Sequence, residues 1–202
     1  FCGCGGMDLG IQGGFNFLSK KYSKLPYQVV YAVDHDKYAT EIYNQNFKHK
    51  CETKDVREIE IDKLPKYDVL LGGFPCQSFS NVGQKGGLED PRGALIFEVA
   101  RILGEKQPKA FILENVRGLL SHDQGKTFKT IENLLEAAGY SVKWQVLVAK
   151  DYGLPQIRKR LFIVGVRADI KADFEFPIKQ DKLRYSLEEV MGEKITQQNT
   201  IF

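Results

Sequence analysis

One cysteine of this sequence stands in a setting that favours nucleophilic chemistry. Cys76 lies in the run Gly73-Phe74-Pro75-Cys76-Gln77-Ser78-Phe79-Ser80, directly after an apolar stretch at 66–71 that predicts a short buried strand. Open α/β sheets bind ligands beyond the carboxyl ends of their strands, so the thiol would stand at such an edge. Pro75 stiffens the turn that presents it. The alternative is a buried structural cysteine, which is the usual place of a free thiol.

A carboxyl group is predicted at the same edge. Residues 109–113 form a second apolar run, and Glu114-Asn115-Val116 follows it. In a parallel sheet Glu114 would therefore lie near Cys76. A carboxyl that burial helps to keep protonated can act as a proton donor. A salt-bridged loop acid is the competing interpretation.

Three cations follow a turn farther along the chain, in the run Gln156-Ile157-Arg158-Lys159-Arg160. They stand at the entrance to a predicted strand at 161–166. Guanidinium groups in such a place can bind an anion or a polar base edge. A solvated basic patch would have the same composition.

The chain opens on a glycine-rich run, Phe1-Cys2-Gly3-Cys4-Gly5-Gly6. Glycines between a strand and a helix let the backbone approach a nucleotide-like ligand, although a tight turn without a ligand has the same pattern. The next predicted strand, 27–33, ends at Asp34-His35-Asp36. One of these acids could bind ribose hydroxyls, or Asp34 or Asp36 could cap the following helix.

Two further segments extend this set of candidates. Asp55 follows a short strand or loop at 51–56 and could accept a hydrogen bond from an exocyclic amine or cap a turn. The polar, glycine-rich segment 81–93 follows Cys76, and we interpret it either as a mobile lid or as an ordinary surface loop.

The elements that must position these residues alternate along the chain. Apolar residues at helical spacing predict helices at 37–46, 93–106 and 127–138, with one more turn or two at 185–191. Besides the strands above, 141–149 reads as a strand. Strands that alternate with helices indicate an α/β fold with a mostly parallel sheet, and residues 1–202 are expected to form one domain.

Composition narrows the class of protein. The chain has 202 residues, 43% hydrophobic and 27% charged, and a net charge of +3, which is weak support for a nucleic-acid partner. No apolar run approaches the ~20 residues that span a bilayer, so no membrane partner is expected. We expect reduced thiols and an intracellular, cytoplasmic protein, because four cysteines without zinc-site spacing indicate neither metal nor disulfides.

Together the four motifs resemble those of the cytosine-C5 DNA methyltransferases. Phe1 to Gly6 is similar to the family's F-x-G-x-G-G cofactor turn, and Gly73 to Ser80 to its Pro-Cys-Gln motif. Glu114-Asn115-Val116 is similar to its Glu-Asn-Val motif, and Gln156 to Arg160 to its Q-x-R-x-R motif. Their order also agrees over residues 1 to about 167, which makes the set far more specific than any one motif.

The resemblance implies a Rossmann-like fold that binds S-adenosylmethionine, and a reaction at C5 of a flipped-out cytosine in double-stranded DNA. It implies Cys76 as the nucleophile at C6, Glu114 as the acid at N3, and Arg160 with Arg158 at O2. The implied cofactor site comprises Phe1, Gly3, Gly5, Asp34, His35, Asp55, Val56, Pro75 and Leu95. The implied DNA contacts are Ser80, Gln84 and Arg92.

Two departures from the family pattern shape the remaining expectations. The strand before the cofactor turn, the target-recognition region and the final motifs are not visible, so we expect a fragment or a second chain that completes the enzyme. A restriction–modification setting is implied by resemblance only. The rival hypotheses are the same chemistry on RNA, a non-catalytic DNA-binding or scaffolding subunit, and a nicotinamide-dependent oxidoreductase.

Overall fold

The computed structural model describes residues 1–18, 20–75, 95–180 and 185–192. The helices in these ranges are α1 (Gly6–Gln12), α2 (Lys37–Asn46), α3 (Leu95–Lys106), α4 (Lys126–Ala137) and α5 (Leu187–Met191). The strands are β1 (Phe15–Phe17), β2 (Lys20–Tyr22), β3 (Ala32–Asp34), β4 (Cys51–Thr53), β5 (Val69–Gly72), β6 (Ala110–Val116), β7 (Tyr140–Val148) and β8 (Lys159–Arg167).

The largest sheet has the strand order β5-β6-β8-β7. β6 runs parallel to β5, whereas β8 is antiparallel to both β6 and β7. Three of its strands therefore share one direction, as the sequence predicts, and β8 is the exception. Only residues 149–158 join β7 to β8, which is too short a connection for the crossover that a parallel pair needs.

The hydrophobic core lies between one face of this sheet and helices α3 and α4. Ile96, Leu103, Ile131 and Leu135 are fully buried on the inner faces of the helices. The apolar spacing of both helices predicted these faces, because side chains three and four residues apart lie on one side. α4 ends just before Gly139, whose φ of 97° is in the left-handed region.

A second, smaller sheet pairs β3 with β4 in parallel. The prediction of a strand from residue 27 was wrong, since β3 begins at Ala32. Residues 27–31 instead line an apolar cavity of about 400 Å³ between β3 and β5. Phe1 links the two sheets, because its nitrogen donates to Val33 O (2.8 Å) and its carbonyl accepts from Gly73 N–H (3.3 Å).

The C-terminal part of the described chain returns to the first residues. Tyr185 is buried and packs edge-on against Phe17, with 5.3 Å between ring centroids, and its hydroxyl donates to Phe17 O. The helix predicted at 185–191 is confirmed as α5, which a Ser186 capping box begins. None of the helices in the described ranges is long and apolar enough to cross a bilayer.

Candidate functional site

The glycine turn between Phe1 and α1 approaches β3 closely. Gly3 and Gly5 have φ of 55° and 88°, values at which glycine carries no steric penalty. A Cβ at Gly5 would stand 2.3 Å from the Phe47 ring, so only glycine fits beneath the turn. The Gly3 N–H donates to Asp34 Oδ2 at 2.8 Å, which fixes the turn against the end of β3.

Asp34 is buried at 9% exposure and serves as an acceptor for the local backbone. Its Oδ1 accepts from the Asp36 N–H at 3.0 Å. Burial by itself would raise the pKa of Asp34, but the Asp36 and Gly3 backbone donors outweigh it and hold that pKa below its usual value. Asp34 is therefore a carboxylate at neutral pH, and its oxygens keep lone pairs for further donors.

The neighbouring acids have local structural roles. Asp36 is the N-cap of α2, and its side chain accepts from the Ala39 N–H at 2.9 Å. Asp55 caps the turn after β4 and pairs with Arg57, which lowers the pKa of Asp55 to about 2. His35 is 74% exposed, with its Nδ1 3.3 Å from the Asp34 carboxylate. Helix and turn capping, which the sequence left open for Asp36 and Asp55, are thus observed.

The second half of the site stands on β6 and β8. Glu114 lies inside β6, which runs to Val116 instead of ending at residue 113 as predicted. Arg160 lies in β8, directly opposite Val116. Glu114 Oε1 is 2.7 Å from Arg160 Nε, and each side chain is 26% exposed. The salt bridge considered for Glu114 therefore exists, and its partner is the arginine of another candidate motif.

Asn115 connects β6 to the turn before Cys76. This amide is 1% exposed, and its Nδ2 donates to Phe74 O at 3.2 Å. Its Oδ1 accepts from the Val116 N–H at 2.8 Å, so both ends of the amide are bonded. Because Phe74 is itself buried, Asn115 holds a backbone segment that water cannot reach.

One cavity of about 620 Å³ joins the two halves of the site. Six of the predicted site residues line it: Phe1, Gly3, Asp34, Glu114, Arg158 and Arg160. The other predicted residues in the described ranges do not line it: Gly5, His35, Asp55, Val56, Pro75 and Leu95. Val56 is buried in an apolar cluster against which Phe1 and Leu95 also pack.

The cavity also has walls that were absent from the predicted site: Gly73, Leu147, Tyr152 and Phe162. Phe162 could have been found, because residues two apart on a strand share a face and Arg160 precedes it by two. Leu147 and Tyr152 carry no comparable signal, since only the pairing of β7 with β8 brings them here.

Four candidate residues lie outside the described ranges, namely Cys76, Ser80, Gln84 and Arg92. The predicted lid at 81–93 lies outside them as well. Within the described ranges, no cluster of three or more histidine, cysteine or acidic side chains could hold a metal ion.

The sequence of the chain is similar to those of known DNA methyltransferases. The profile described as C-5 cytosine-specific DNA methylase matches residues 1–202. The type II methyltransferase M1.ScrFI of Lactococcus lactis subsp. cremoris is 44% identical over 202 residues, which is 97% of this chain and 49% of that protein. The type II methyltransferase M.Bsp6I of Bacillus sp. strain RFL6 is 44% identical over 89% of this chain and 55% of its own length. The chain thus spans about half the length of the curated relatives it matches.

Solved structures show the same architecture. The Dnmt2 methyltransferase of S. pombe superposes with a TM-score of 0.66 at 19% identity, over 98% of this chain and 55% of that one. A prophage-encoded protein of E. coli, assigned as a DNA modification methyltransferase, gives 0.69 at 28% identity over 87% and 47%. The fold is therefore the Rossmann-like α/β fold of S-adenosylmethionine-dependent methyltransferases, as the sequence predicted.

Proposed function

The chain belongs to the C-5 cytosine-specific DNA methylase family, and from this premise we propose that the full protein transfers a methyl group from S-adenosylmethionine to C5 of a cytosine in double-stranded DNA. The observation that carries the proposal is the cavity of about 620 Å³ that both groups of motif residues line. It has the glycine turn and Asp34 at one end and Glu114 with Arg160 at the other. A methyl donor and a pyrimidine bound there would meet without crossing bulk water.

The first end fits a nucleoside cofactor. The left-handed turn at Gly3 and Gly5 leaves its backbone free of side-chain bulk, and the carboxylate of Asp34 has lone pairs for the two ribose hydroxyls. Asp55 would accept from the adenine amine with the lone pairs that Arg57 leaves free. The remaining proposed contacts are Phe1, His35, Val56, Pro75 and Leu95. S-adenosylmethionine, when bound, supplies an electrophilic methyl group.

The second end fits the edge of a pyrimidine. We assign Cys76 as the thiolate that adds to C6, which makes C5 nucleophilic. Glu114 takes up a proton as its salt bridge with Arg160 loosens around the base, and it donates that proton at N3 as charge develops on the ring. Arg160 stabilises O2, with Arg158 behind it. When the base enters, Arg160 and Glu114 exchange part of their mutual contact of 2.7 Å for contacts with the ring. C5 then gains the methyl group, and S-adenosylhomocysteine is the leaving group. A base, which is a water or a side chain, takes the C5 proton, N3 returns its proton to Glu114, and the C6–S bond breaks to release the Cys76 thiolate and 5-methylcytosine.

Two of the three cysteines in the described ranges, Cys2 and Cys51, are poorly suited to this role. The thiols of Cys2 and Cys51 contact each other at 3.0 Å, and burial is the main cause that raises the pKa of both. They are therefore protonated at neutral pH, and a protonated thiol is a weak nucleophile.

Access to C6 requires that the cytosine leave the duplex, since stacking hides the ring. We assign Ser80, Gln84 and Arg92 to contacts with the DNA, and the segment 81–93 to closure over the flipped base. The chain spans about half the length of the curated relatives it matches, and we propose that recognition of the target sequence belongs to a region outside residues 1–202. Because the relatives are named type II methyltransferases, a restriction–modification system is the proposed setting.

The test is covalent trapping with the full-length protein. The protein is incubated with S-adenosylmethionine and duplex DNA that carries 5-fluorocytosine. After methyl transfer, C5 holds fluorine in place of the proton and cannot release it, so the adduct should persist and map to Cys76 by mass spectrometry. Cys76→Ser should abolish the adduct and methyl transfer while cofactor affinity stays within about twofold of the parent, because the thiol acts only on the base.

Three other results would contradict parts of the proposal. Turnover of the Cys76→Ser protein within about tenfold of the parent would remove the nucleophile assignment. Methylation of tRNA without methylation of duplex DNA would replace the substrate. Methylation of neither nucleic acid, together with no cofactor binding, would favour a scaffolding role.

A further inference from the structure

Two apolar side chains, Phe162 and Leu147, line the cavity together with the Glu114–Arg160 pair. Phe162 lies on β8, directly opposite Glu114 on β6, and two residues after Arg160. Leu147 lies on β7, directly opposite Arg160. Opposite residues of an antiparallel pair share a face with Cβ atoms about 4.5–5.5 Å apart, so both side chains border the ion pair.

Phe162 neighbours both members of the pair, Glu114 across the sheet and Arg160 along its own strand. Val116 has the mirror-image position on β6, but only Phe162 of the two lines the cavity. All four side chains line the same cavity. A half-buried guanidinium on the middle strand could swing towards β7, where Leu147 stands, or down along β8, where Phe162 stands. Leu147 and Phe162 occupy those two sides, Val116 stands opposite Arg160 on β6, and Arg160 itself lines the cavity.

We propose that Phe162 is a positioning residue for the Glu114–Arg160 pair, and that it forms with Leu147 the apolar wall that closes the base end of the cavity. The wall keeps water from the rear of the pair and aims both polar heads at the incoming base. When one side of a salt bridge is shielded from water, solvent screens the attraction between its charges less. Side chains that are already confined by neighbours also lose less conformational entropy when they form the salt bridge. The consequence for methyl transfer rests on the proposed function, whereas the effect on the ion pair does not.

The first measurement therefore reads the ion pair without substrate. In ¹⁵N-labelled full-length protein, the Arg160 Nε–H signal is assigned by its loss in Arg160→Lys, and its exchange with water is followed by NMR. Phe162→Ala should speed this exchange by about tenfold or more, because a half-buried hydrogen bond becomes hydrated. Phe162→Leu should give an intermediate rate, and it serves if the alanine variant does not fold.

Val164→Ala is the matched control. Val164 lies on the same face of β8, one rung farther from the pair, and is 5% exposed. Val164→Ala should lower stability by an amount comparable to that of Phe162→Ala, and it should leave the exchange rate of the Arg160 Nε–H at the parent value. Equal exchange rates in the Phe162 and Val164 variants would overturn the proposal, because Phe162 would then act only as core packing.

The second measurement is single-turnover methylation of duplex DNA. Phe162→Ala should lower the rate about 10- to 100-fold with cofactor affinity within about twofold, since a misdirected acid loses most of its general-acid contribution. A normal rate with altered exchange would overturn the catalytic consequence of the wall. A parent protein that methylates nothing, with exchange still dependent on Phe162, would refute the proposed function and leave the positioning role standing.

Discussion

Replacing Asn115 by aspartate tests whether a buried amide on β6 holds the turn before Cys76. The change keeps the shape of the side chain but removes the donor to Phe74 O (3.2 Å) while keeping the acceptor for Val116 N–H. An unsatisfied buried carbonyl costs about 1–3 kcal/mol, and a buried carboxylate adds to this. We therefore expect a loss of at least about 2 kcal/mol at pH 7, which lowers the Tm by about 4–8 °C in a chain of this size.

The stability loss of Asn115→Asp should depend on pH. Burial should raise the pKa of the introduced carboxyl above its ordinary value of about 3.9, so the folded state binds the proton more tightly than the unfolded state. The destabilisation therefore grows as pH rises from the unfolded-state pKa of about 3.9 through the higher folded-state pKa. It shrinks as pH falls, because the protonated carboxyl again donates to Phe74 O. Thermal unfolding at pH 5, 7 and 8, each measured against the parent, should show this trend.

Asn44→Asp is the control for the Asn115 variant. Asn44 Nδ2 donates to Cys51 O at 3.1 Å and its Oδ1 accepts from Cys51 N–H at 2.7 Å, an equivalent pair of bonds away from the cavity. Both variants should lose stability, but only Asn115→Asp should slow methyl transfer, by about 100-fold if the turn shifts by about 1 Å. The reasoning would be refuted if Asn115→Asp were as stable as the parent from pH 5 to 8. It would also be refuted if Asn115→Asp and Asn44→Asp transferred the methyl group at equal rates.

Three further outcomes follow from individual contacts. Gly5→Ala should lower the free energy of unfolding in urea by about 2–4 kcal/mol, because the φ of Gly5 is 88° and the new Cβ would stand 2.3 Å from Phe47. Gly10→Ala, in open space on α1, should instead raise it by about 0.5–1 kcal/mol. Equal urea midpoints for the two variants would contradict this. The pKa of Asp55 is lowered to about 2, so its contribution to stability is present above about pH 4 and is lost as pH falls towards 2, and Asp55→Asn should flatten the acid limb of the unfolding curve there. Glu114→Gln should slow methyl transfer at least about 100-fold with cofactor affinity unchanged, and an unaltered single-turnover rate would remove Glu114 from the mechanism.

Local periodicity accounts for what was predictable about the elements. The apolar spacing of α2, α3 and α4 predicted their existence and, for α3 and α4, their buried faces, because a helix is defined by residues three and four apart. Strand ends were less certain. A strand was predicted from residue 27, whereas the observed strand begins at Ala32. A segment becomes a strand only where a neighbouring strand pairs with it, and the local sequence does not specify that neighbour.

The sequence by itself determined the motifs and their order, and it predicted Cys76 and Glu114 at one edge of the sheet, since apolar runs followed by polar residues read as strand ends. It did not predict that the Gln156–Arg160 run reaches the same edge. The tertiary structure decided which motif side chains meet. Glu114 pairs with Arg160, and Asn115 bonds to Phe74, through contacts between strands and turns that are distant along the chain. Only the antiparallel placement of β8 beside β6 puts Arg160 and Phe162 next to Glu114, because pairing and register are set by packing across the whole sheet and not by any one segment.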